Sequence, residues 1–486
     1  MGESAPADGD ASSDSTTNGD NARSIVNISS SGDIILDVTF ETSQDTINKS
    51  RKAAIAAARK AGPKAASAVP GFKPLIKVAY RVRLDILKKH SLYFSNLLSN
   101  EQFTEARLVK TAHEDLAARG VKPAEAHSSD LPWIPIIDDD EASRTAGREL
   151  AFEDILRMIH GTPPRTTKAT MSYVATLAII ADRLDCAAAV SRSLTTELKF
   201  KWPVTSNRPL RDGDTGKTTE IEQVLRQKIL ASWLLGQPVR LQHSTRELIL
   251  RGSRLWSVYQ SPTDSDDSSL TAAWWNLPDG LEEELQHRRE CILNAVASIH
   301  RHFLSLYAPR AGGGGASRQC KLGYDSSAAC DSFQLGQMIR FLLTKNLLFL
   351  ADFSPASSFD ALPAADAAQA TLDVDADILA VLKQCPNYQI DKHHTNCGLR
   401  IRIDPIIDYV RAMLAANVVA ISLQAWKKDR PASSWAASGD SAKPRNFAFT
   451  RAMANDQRLR YEGAIYADRM AKQLFTADKW DWTPEF

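Results

Sequence analysis

Thiols and imidazoles are concentrated in the C-terminal half of this chain. Five of the six cysteines follow Glu290, and the segment 385–397 holds two cysteines and two adjacent histidines. Thiolate and imidazole are the ligands that zinc prefers, and a structural zinc site closes with four of them. His394 and Cys397 are close enough in the chain to bind one ion from a tight turn. The residue types therefore indicate a candidate structural zinc site, with ligands drawn from Cys320, Cys330, Cys385, His394 and Cys397.

Two other interpretations of these residues stay open. No Cys-x-x-Cys pair is present, and free cysteines often pack in cores as small apolar side chains. A catalytic pair of Cys397 with His393 or His394 needs an activated thiol beside a base, and the sequence shows proximity alone. No Ser-His-Asp set, carboxylate pair or phosphate-binding loop elsewhere supports catalysis. We therefore predict a protein that is not an enzyme, with no catalytic residues and no cofactor other than the candidate zinc.

The composition is that of a soluble globular protein with more than one domain. The chain has 486 residues, of which 43% are hydrophobic and 24% charged, and a net charge of +1. This near-neutral charge argues against nucleic acid or an acidic membrane as the main partner. We see neither a secretory signal nor an apolar run of the roughly 18 residues that a spanning helix needs. Reduced cysteines then predict a location in the cytoplasm or the nucleus.

The clearest local pattern runs from residue 75 to residue 98. Apolar residues first alternate with basic ones, which predicts a half-buried strand; these are Ile76, Val78, Tyr80, Val82 and Leu84. The spacing then becomes helical through Leu87, Tyr93, Phe94, Leu97 and Leu98. The pattern predicts a strand that leads directly into a helical segment.

This strand and helical segment resemble the dimerisation core of the BTB/POZ family, with His90-Ser91-Leu92-Tyr93-Phe94 in the middle of the stretch. Further pieces follow in the family's order: an opening strand at 32–40, Phe103-Thr104-Glu105, a third strand at 133–137 and helices ending near Ile159 and Leu184. The chain departs from the family by two insertions, 42–74 and 107–131.

The resemblance implies a non-enzymatic module that binds proteins. A BTB/POZ domain pairs with a second copy of itself, and many relatives serve as substrate adaptors for a cullin-type ubiquitin ligase. By resemblance we expect a homodimer, a cullin as a further partner, and interface positions at Leu36, Val38, Tyr93, Phe94 and Leu97. The alternative for these positions is that they form the core of the domain itself.

The remaining sequence predicts an α+β protein in which a mixed N-terminal domain precedes a mostly α-helical region. The expected divisions are a disordered tail at 1–31, the BTB/POZ-like domain at 32–200, a linker at 201–217, a helical domain at 218–427, a linker at 428–445 and a C-terminal helix and tail at 446–486. The helical region is similar to that of long fungal BTB-domain proteins, which assigns it no activity.

The basic insertion 49–64 supports a second hypothesis, a nuclear regulatory protein that contacts nucleic acid. It carries Lys49, Arg51, Lys52, Arg59, Lys60 and Lys64 among alanines. Aromatic residues that stack on bases are absent from it, so a solvated helix or loop is the simpler interpretation. A structural scaffold with a zinc-stabilised helical domain is the third hypothesis.

Overall fold

The computed structural model describes residues 25–61, 71–206, 220–256, 271–307, 318–323, 325–345, 347, 378–437, 444–461 and 465–483. The fold class is α+β, as predicted: a small sheet with its helices is followed by a mostly helical region. Within the described part of the chain, no helix is long and apolar enough to cross a membrane.

The N-terminal sheet has four strands, Ile25–Asn27 (β1), Ile34–Glu41 (β2), Leu75–Val82 (β3) and Trp133–Asp139 (β4). Their order is β1-β3-β2-β4. β2 pairs antiparallel with β3 and parallel with β4, so that Leu36 lies between Tyr80 and Ile134. The alternating residues of β2 face one core, which buries Leu36, Val38 and Phe40.

β1 corrects the predicted tail. The prediction placed residues 1–31 in a disordered segment, but Ile25–Asn27 pairs parallel with β3 and Ile28 is buried. The polar composition of the segment as a whole conceals this short apolar run, which is stable because it completes the hydrogen bonds of an edge strand. Residues 1–24 lie outside the described residues.

Seven helices complete the described part of this region. Their bounds are Gln44–Ala61 (α1), Leu84–His90 (α2), Leu92–Ser99 (α3), Thr104–Ala118 (α4), Arg148–Ile159 (α5), Met171–Arg183 (α6) and Ala187–Thr196 (α7). α5 and α6 supply most of the apolar side chains that cover one face of the sheet. The strand and the helices that the sequence pattern predicts at 75–98 are present in the structure as β3, α2 and α3.

The two insertions form structure of different kinds. The first forms α1, on which Arg51 and Lys52 are exposed; the side chains of Arg59, Lys60 and Lys64 lie outside the described residues. The second contains most of α4, and its Leu116, Ala126 and Leu131 pack against Ile35 and Ala79 on the other face of the sheet. The second insertion is therefore part of a small second core.

Three of the five expected interface positions are corrected by their burial. Leu36, Val38 and Phe94 are fully buried in the core between the sheet and its helices. A side chain without accessible surface cannot contact another molecule unless the domain opens. Tyr93 remains 37% exposed and Leu97 is partly buried beside the core.

The C-terminal region contains eleven helices among the described residues: Ile221–Leu234 (α8), Pro238–Arg251 (α9), Leu281–Tyr307 (α10), Ser327–Thr344 (α11), Leu379–Leu382 (α12), Arg400–Leu414 (α13), Leu423–Lys428 (α14), Arg430–Ser433 (α15), Arg451–Asn455 (α16), Gln457–Tyr461 (α17) and Ile465–Phe475 (α18). Two short strands, Asn446–Ala448 (β5) and Lys479–Asp481 (β6), pair parallel. α8 packs on α6 and joins the two regions, since Ala231 belongs to the N-terminal core and Ala175 to the C-terminal core.

Neither predicted linker is simply a spacer. In the segment predicted as a linker at 428–445, Trp435 is buried and its ring stacks on that of Phe475 at 6.0 Å between centroids. In the other predicted linker, 201–217, Thr205 is buried, and residues 207–217 lie outside the described residues. In the segment predicted as a helix and a tail, 446–486, the described residues form β5, β6 and three helices. Pro, Gly and Ser content marks irregular backbone, but it does not show whether that backbone is buried.

Arg288 on α10 holds several of these segments together. Its guanidinium group donates hydrogen bonds to the carbonyl oxygens of Val418, Val419, Ala420 and Ser433 at 2.8 to 3.2 Å. It also pairs with Glu284 at 2.6 Å, and both side chains are almost fully buried. Glu284 in turn accepts from the Ser434 hydroxyl and the Trp435 backbone N–H. The irregular segments 418–420 and 433–435 are therefore anchored to α10 by one buried ion pair.

We expect Arg288→Met to destabilise the protein by about 3–5 kcal/mol, because it leaves a buried carboxylate and four carbonyl groups without their cation. The measurement is the free energy of unfolding in urea. Arg83→Met is the control, since the Arg83–Asp85 pair is solvent-exposed and such pairs contribute about 0–1 kcal/mol. Equal losses in the two variants would contradict the anchoring role of Arg288.

Candidate metal centre

Cys320, Cys330, His394 and Cys397 converge in the C-terminal region. Their sulfur atoms and one imidazole nitrogen all lie within 4.8 Å of one another. Nδ1 of His394 is 3.4 Å from the sulfur of Cys320 and 3.7 Å from that of Cys397. The sulfur atoms of Cys320 and Cys397 are 3.7 Å apart. Four atoms of the types that bind zinc thus surround one point.

These separations match the edges of a tetrahedral zinc site. With Zn–S near 2.3 Å and Zn–N near 2.05 Å, tetrahedral geometry places two sulfur ligands about 3.8 Å apart and a sulfur and a nitrogen about 3.6 Å apart. The separations among Cys320, His394 and Cys397 are 3.4 and 3.7 Å for sulfur to nitrogen and 3.7 Å for sulfur to sulfur. An ion can therefore enter with little movement of these side chains.

The loop that carries Cys320 is held in place by a residue near the start of α11. Asp331 accepts hydrogen bonds from the backbone N–H groups of Gln319 and Cys320 at 3.0 and 2.8 Å. Arg402 on α13 also donates to the side chain and the carbonyl oxygen of Gln319. Cys330 is the neighbour of Asp331 on α11, so one helix positions two of the three thiols.

The turn before α13 supplies the other two groups. The carboxylate of Asp391 accepts from the backbone N–H groups of His393 and His394 at 2.7 and 3.2 Å, which closes the turn as an Asx turn. Nε2 of the fully buried His394 is 3.0 Å from the hydroxyl oxygen of Ser326. A hydrogen bond on Nε2 leaves Nδ1 as the ligand atom and fixes the orientation of the ring.

The electrostatics of the cluster favour a bound cation. Burial and the neighbouring Cys397 and Cys320 raise the pKa of the Cys330 thiol to about 12, because three thiolates at this distance repel one another. Burial and Cys320 likewise raise the pKa of Cys397, which is the reverse of what a thiolate nucleophile requires. A divalent cation at the centre would lower the pKa values of the thiols that bind it, so that they bind as thiolates.

Four protein ligands leave no open position for a substrate. Three thiols and one imidazole form one of the common closed sets for structural zinc, and only Cys397 among the four is appreciably exposed. The centre would connect the loop at 318–323, α11 and the turn before α13. With an ion bound by all four groups, the centre would act as a cross-link between these segments.

Cys385 does not belong to the cluster, which corrects its inclusion among the candidate ligands. Its sulfur contacts that of Met338 at 3.6 Å inside the hydrophobic core. Burial raises its pKa to about 11, as expected for a cysteine that packs as an apolar side chain. The short separation of Cys385 and His394 in the sequence did not indicate that Cys385 lies outside the cluster, because sequence separation does not define the path of the chain between two residues.

Sequence reasoning missed the residues that support the ligands. Ser326, Asp331 and Asp391 orient His394 and the two loops through the hydrogen bonds described above. An Asp three positions before His394 is a weak signal for an Asx turn. No local signal connects Ser326 with His394, because the two residues are distant in the chain.

We expect the purified protein to contain about one zinc ion per chain, measured by inductively coupled plasma mass spectrometry. Cys330→Ser should lose this zinc because a ligand is removed. Ser326→Ala should weaken zinc affinity by roughly 10–100-fold, since it loosens the orientation of His394.

Cys385→Ser is the matched control and should retain the full zinc content. A wild-type protein that carries no metal after expression with added zinc, and that melts at the same temperature as Cys330→Ser, would contradict the assignment.

No family model, no curated protein and no solved structure matches this chain. The chemistry of the centre is assigned accordingly from the distances, burial and hydrogen bonds of its own residues.

Proposed function

We propose that this protein is a non-enzymatic protein-interaction scaffold of the cytoplasm or nucleus. Its N-terminal domain is BTB/POZ-like and self-associates, and it also serves as a substrate adaptor for a cullin-type ubiquitin ligase. The helical region, cross-linked by structural zinc, holds the protein that is recruited. The observation that carries this proposal is an accessible apolar surface on α3.

The order of elements supports the BTB/POZ-like part of the proposal. β3 runs without a loop into α2 and α3, which carry the His90-Ser91-Leu92-Tyr93-Phe94 segment. The hydroxyl of Ser91 accepts from the backbone N–H of Phe94, which caps α3, and it donates to the carbonyl oxygen of Leu184 at 2.5 Å. This contact ties α3 to the end of α6, so α3 is presented on a rigid support.

The α3 surface consists of Leu92, Tyr93, Leu97 and Phe103. Leu92 is 59% exposed, Tyr93 37% and Phe103 43%, and Leu97 is partly buried beside the core. Burial and the nearby Glu105 raise the pKa of Tyr93; Glu105 lies in the first turn of α4, which packs against α3. Clustered apolar side chains that remain accessible on a rigid helix are typical of a protein-binding surface.

A second copy of this chain is the partner that fits the surface best. Most homodimers are two-fold symmetric and use the same surface on both subunits. A short helix with an apolar face, whose Phe94 and Leu98 are anchored in the N-terminal core, can pair with itself in this way. The resemblance to BTB/POZ domains, in which this segment belongs to the dimerisation core, favours the same partner.

We expect the wild-type chain to elute as a dimer of 53.5 kDa subunits in size-exclusion chromatography with light scattering. Combined Leu92→Glu and Tyr93→Glu substitutions should yield a monomer, because each dimer would bury like charges against each other. Leu343→Glu is the control, since Leu343 is 53% exposed on α11 and lies outside the surface. A monomeric wild type, or an unchanged mass in the double variant, would exclude self-association through α3.

The adaptor role is tested by affinity capture of the tagged full-length protein from its own cells, followed by mass spectrometry. We expect a cullin, its ring-finger partner and one enriched client. Capture of the protein alone would remove the ubiquitin-ligase part of the proposal and leave a self-associating scaffold. Comparison with Leu343→Glu and with the Leu92 and Tyr93 double variant shows whether recruitment depends on the dimer.

A further inference from the structure

Two of the three thiols in the candidate metal centre lie in direct contact. The sulfur atoms of Cys320 and Cys397 are 3.7 Å apart, whereas the sulfur atoms of a disulfide bond are about 2.05 Å apart. An approach of roughly 0.8 Å by each sulfur atom would therefore form the bond. The two residues are 77 positions apart in the sequence, so their contact is a product of the fold.

The chain segments that carry these two thiols are held from opposite sides. The carboxylate of Asp331 accepts a hydrogen bond from the backbone N–H of Cys320 at 2.8 Å. On the other side, the hydroxyl group of Tyr307 donates to the carbonyl oxygen of Cys397 at 3.5 Å. Both anchors bind backbone groups, so they keep the segments together without engaging the thiols themselves.

Cys397 is the member of the centre that a small molecule in solution can reach. It is partly exposed, whereas Cys320 is 3% exposed and both Cys330 and His394 are 0% exposed. Without an ion the Cys397 thiol has a raised pKa, but bound zinc would hold it as a thiolate. The thiolate is the form that peroxides oxidise, and an accessible thiolate beside a second thiol is typical of redox-sensing cysteines.

We propose that Cys397 is a site of oxidation by hydrogen peroxide, and that Cys320 converts the oxidised residue into a disulfide with release of the zinc ion. The contact between the two sulfur atoms and the accessibility of Cys397 carry this proposal. The release of zinc rests on the candidate metal centre, which belongs to the proposed function, whereas the disulfide has a readout of its own.

The reaction has two steps. In the first, the Cys397 thiolate attacks one oxygen atom of hydrogen peroxide, so that a sulfur–oxygen bond forms, the oxygen–oxygen bond breaks and hydroxide leaves. In the second, the Cys320 thiolate attacks the sulfur of this sulfenic acid, so that the disulfide forms and a second hydroxide leaves. The two thiolates supply the two electrons that reduce the peroxide, and the two hydroxide ions take protons from solvent to become water.

The disulfide would leave the zinc ion with two of its four ligands, Cys330 and His394. A structural zinc site needs four protein ligands, so the ion would dissociate. The disulfide would still join the loop at 318–323 to the turn before α13, but Cys330 and with it α11 would leave the cross-link. Disulfides in reducing compartments are usually transient, and thiol reductants would restore the site.

The test treats the zinc-loaded full-length protein with hydrogen peroxide. A chelating dye measures the zinc released, and mass spectrometry of peptides identifies the cysteines that are joined. We expect release of about one zinc ion per chain, together with one disulfide between Cys320 and Cys397. Dithiothreitol followed by added zinc should restore both the thiols and the metal content.

Cys291→Ser is the matched control and should respond like the wild type. Cys291 is the other partly exposed cysteine of the chain, and its sulfur contacts Nε2 of His287 at 3.5 Å outside the metal centre. Cys320→His keeps a residue that can bind zinc at this position but removes the second thiol. In this variant Cys397 should therefore accumulate as sulfenic acid, which dimedone traps.

For the wild type, each outcome decides a separate part of the proposal. A zinc-loaded protein that keeps its zinc and its thiols in excess peroxide would overturn the proposal and leave the metal centre standing. A disulfide between Cys397 and Cys330 would overturn the role of Cys320. A protein that binds no zinc but forms the disulfide between Cys320 and Cys397 would refute the metal centre and the release of zinc, and would support the thiol pair.

Discussion

The buried ion pair between Arg288 and Glu284 is the interaction on which the C-terminal region depends. Irregular backbone is normally at the surface because water satisfies its polar groups. Here the guanidinium group replaces water for four carbonyl groups, so the segments 418–420 and 433–435 can be buried against α10. Trp435 is then enclosed, with the Arg288 guanidinium group 5.0 Å from its ring centroid.

The candidate metal centre lies near the other end of α10. The hydroxyl group of Tyr307, the last residue of that helix, is 3.5 Å from the carbonyl oxygen of Cys397. A zinc ion there would join the loop at 318–323, α11 and the turn before α13. An ion pair near the start of α10 and a metal cross-link near its end would together fix a region whose elements are mostly short.

The N-terminal domain uses its apolar residues in two ways. The apolar residues that alternate along β2 are buried in the core, whereas Leu92 and Tyr93 on α3 remain accessible to solvent. α6 mediates between the domain and the helical region because its side chains belong to both hydrophobic cores and it packs on α8. The proposed self-association through α3 and the candidate zinc site in the helical region are thus at two separate places on one continuous framework.

The sequence by itself determined the local features of this protein. Alternation predicted β3, helical spacing predicted the helices that follow it, and residue type singled out the thiols and imidazoles, because each of these signals is contained within a few neighbouring residues. Only the tertiary structure decided which of these residues and elements lie next to one another. It selected Cys320 and Cys330 as neighbours of His394 and excluded Cys385, and it added β1 to the sheet. It buried Leu36, Val38, Phe94 and Trp435 and left Tyr93 accessible. These outcomes depend on how distant segments pack, and no local pattern records that.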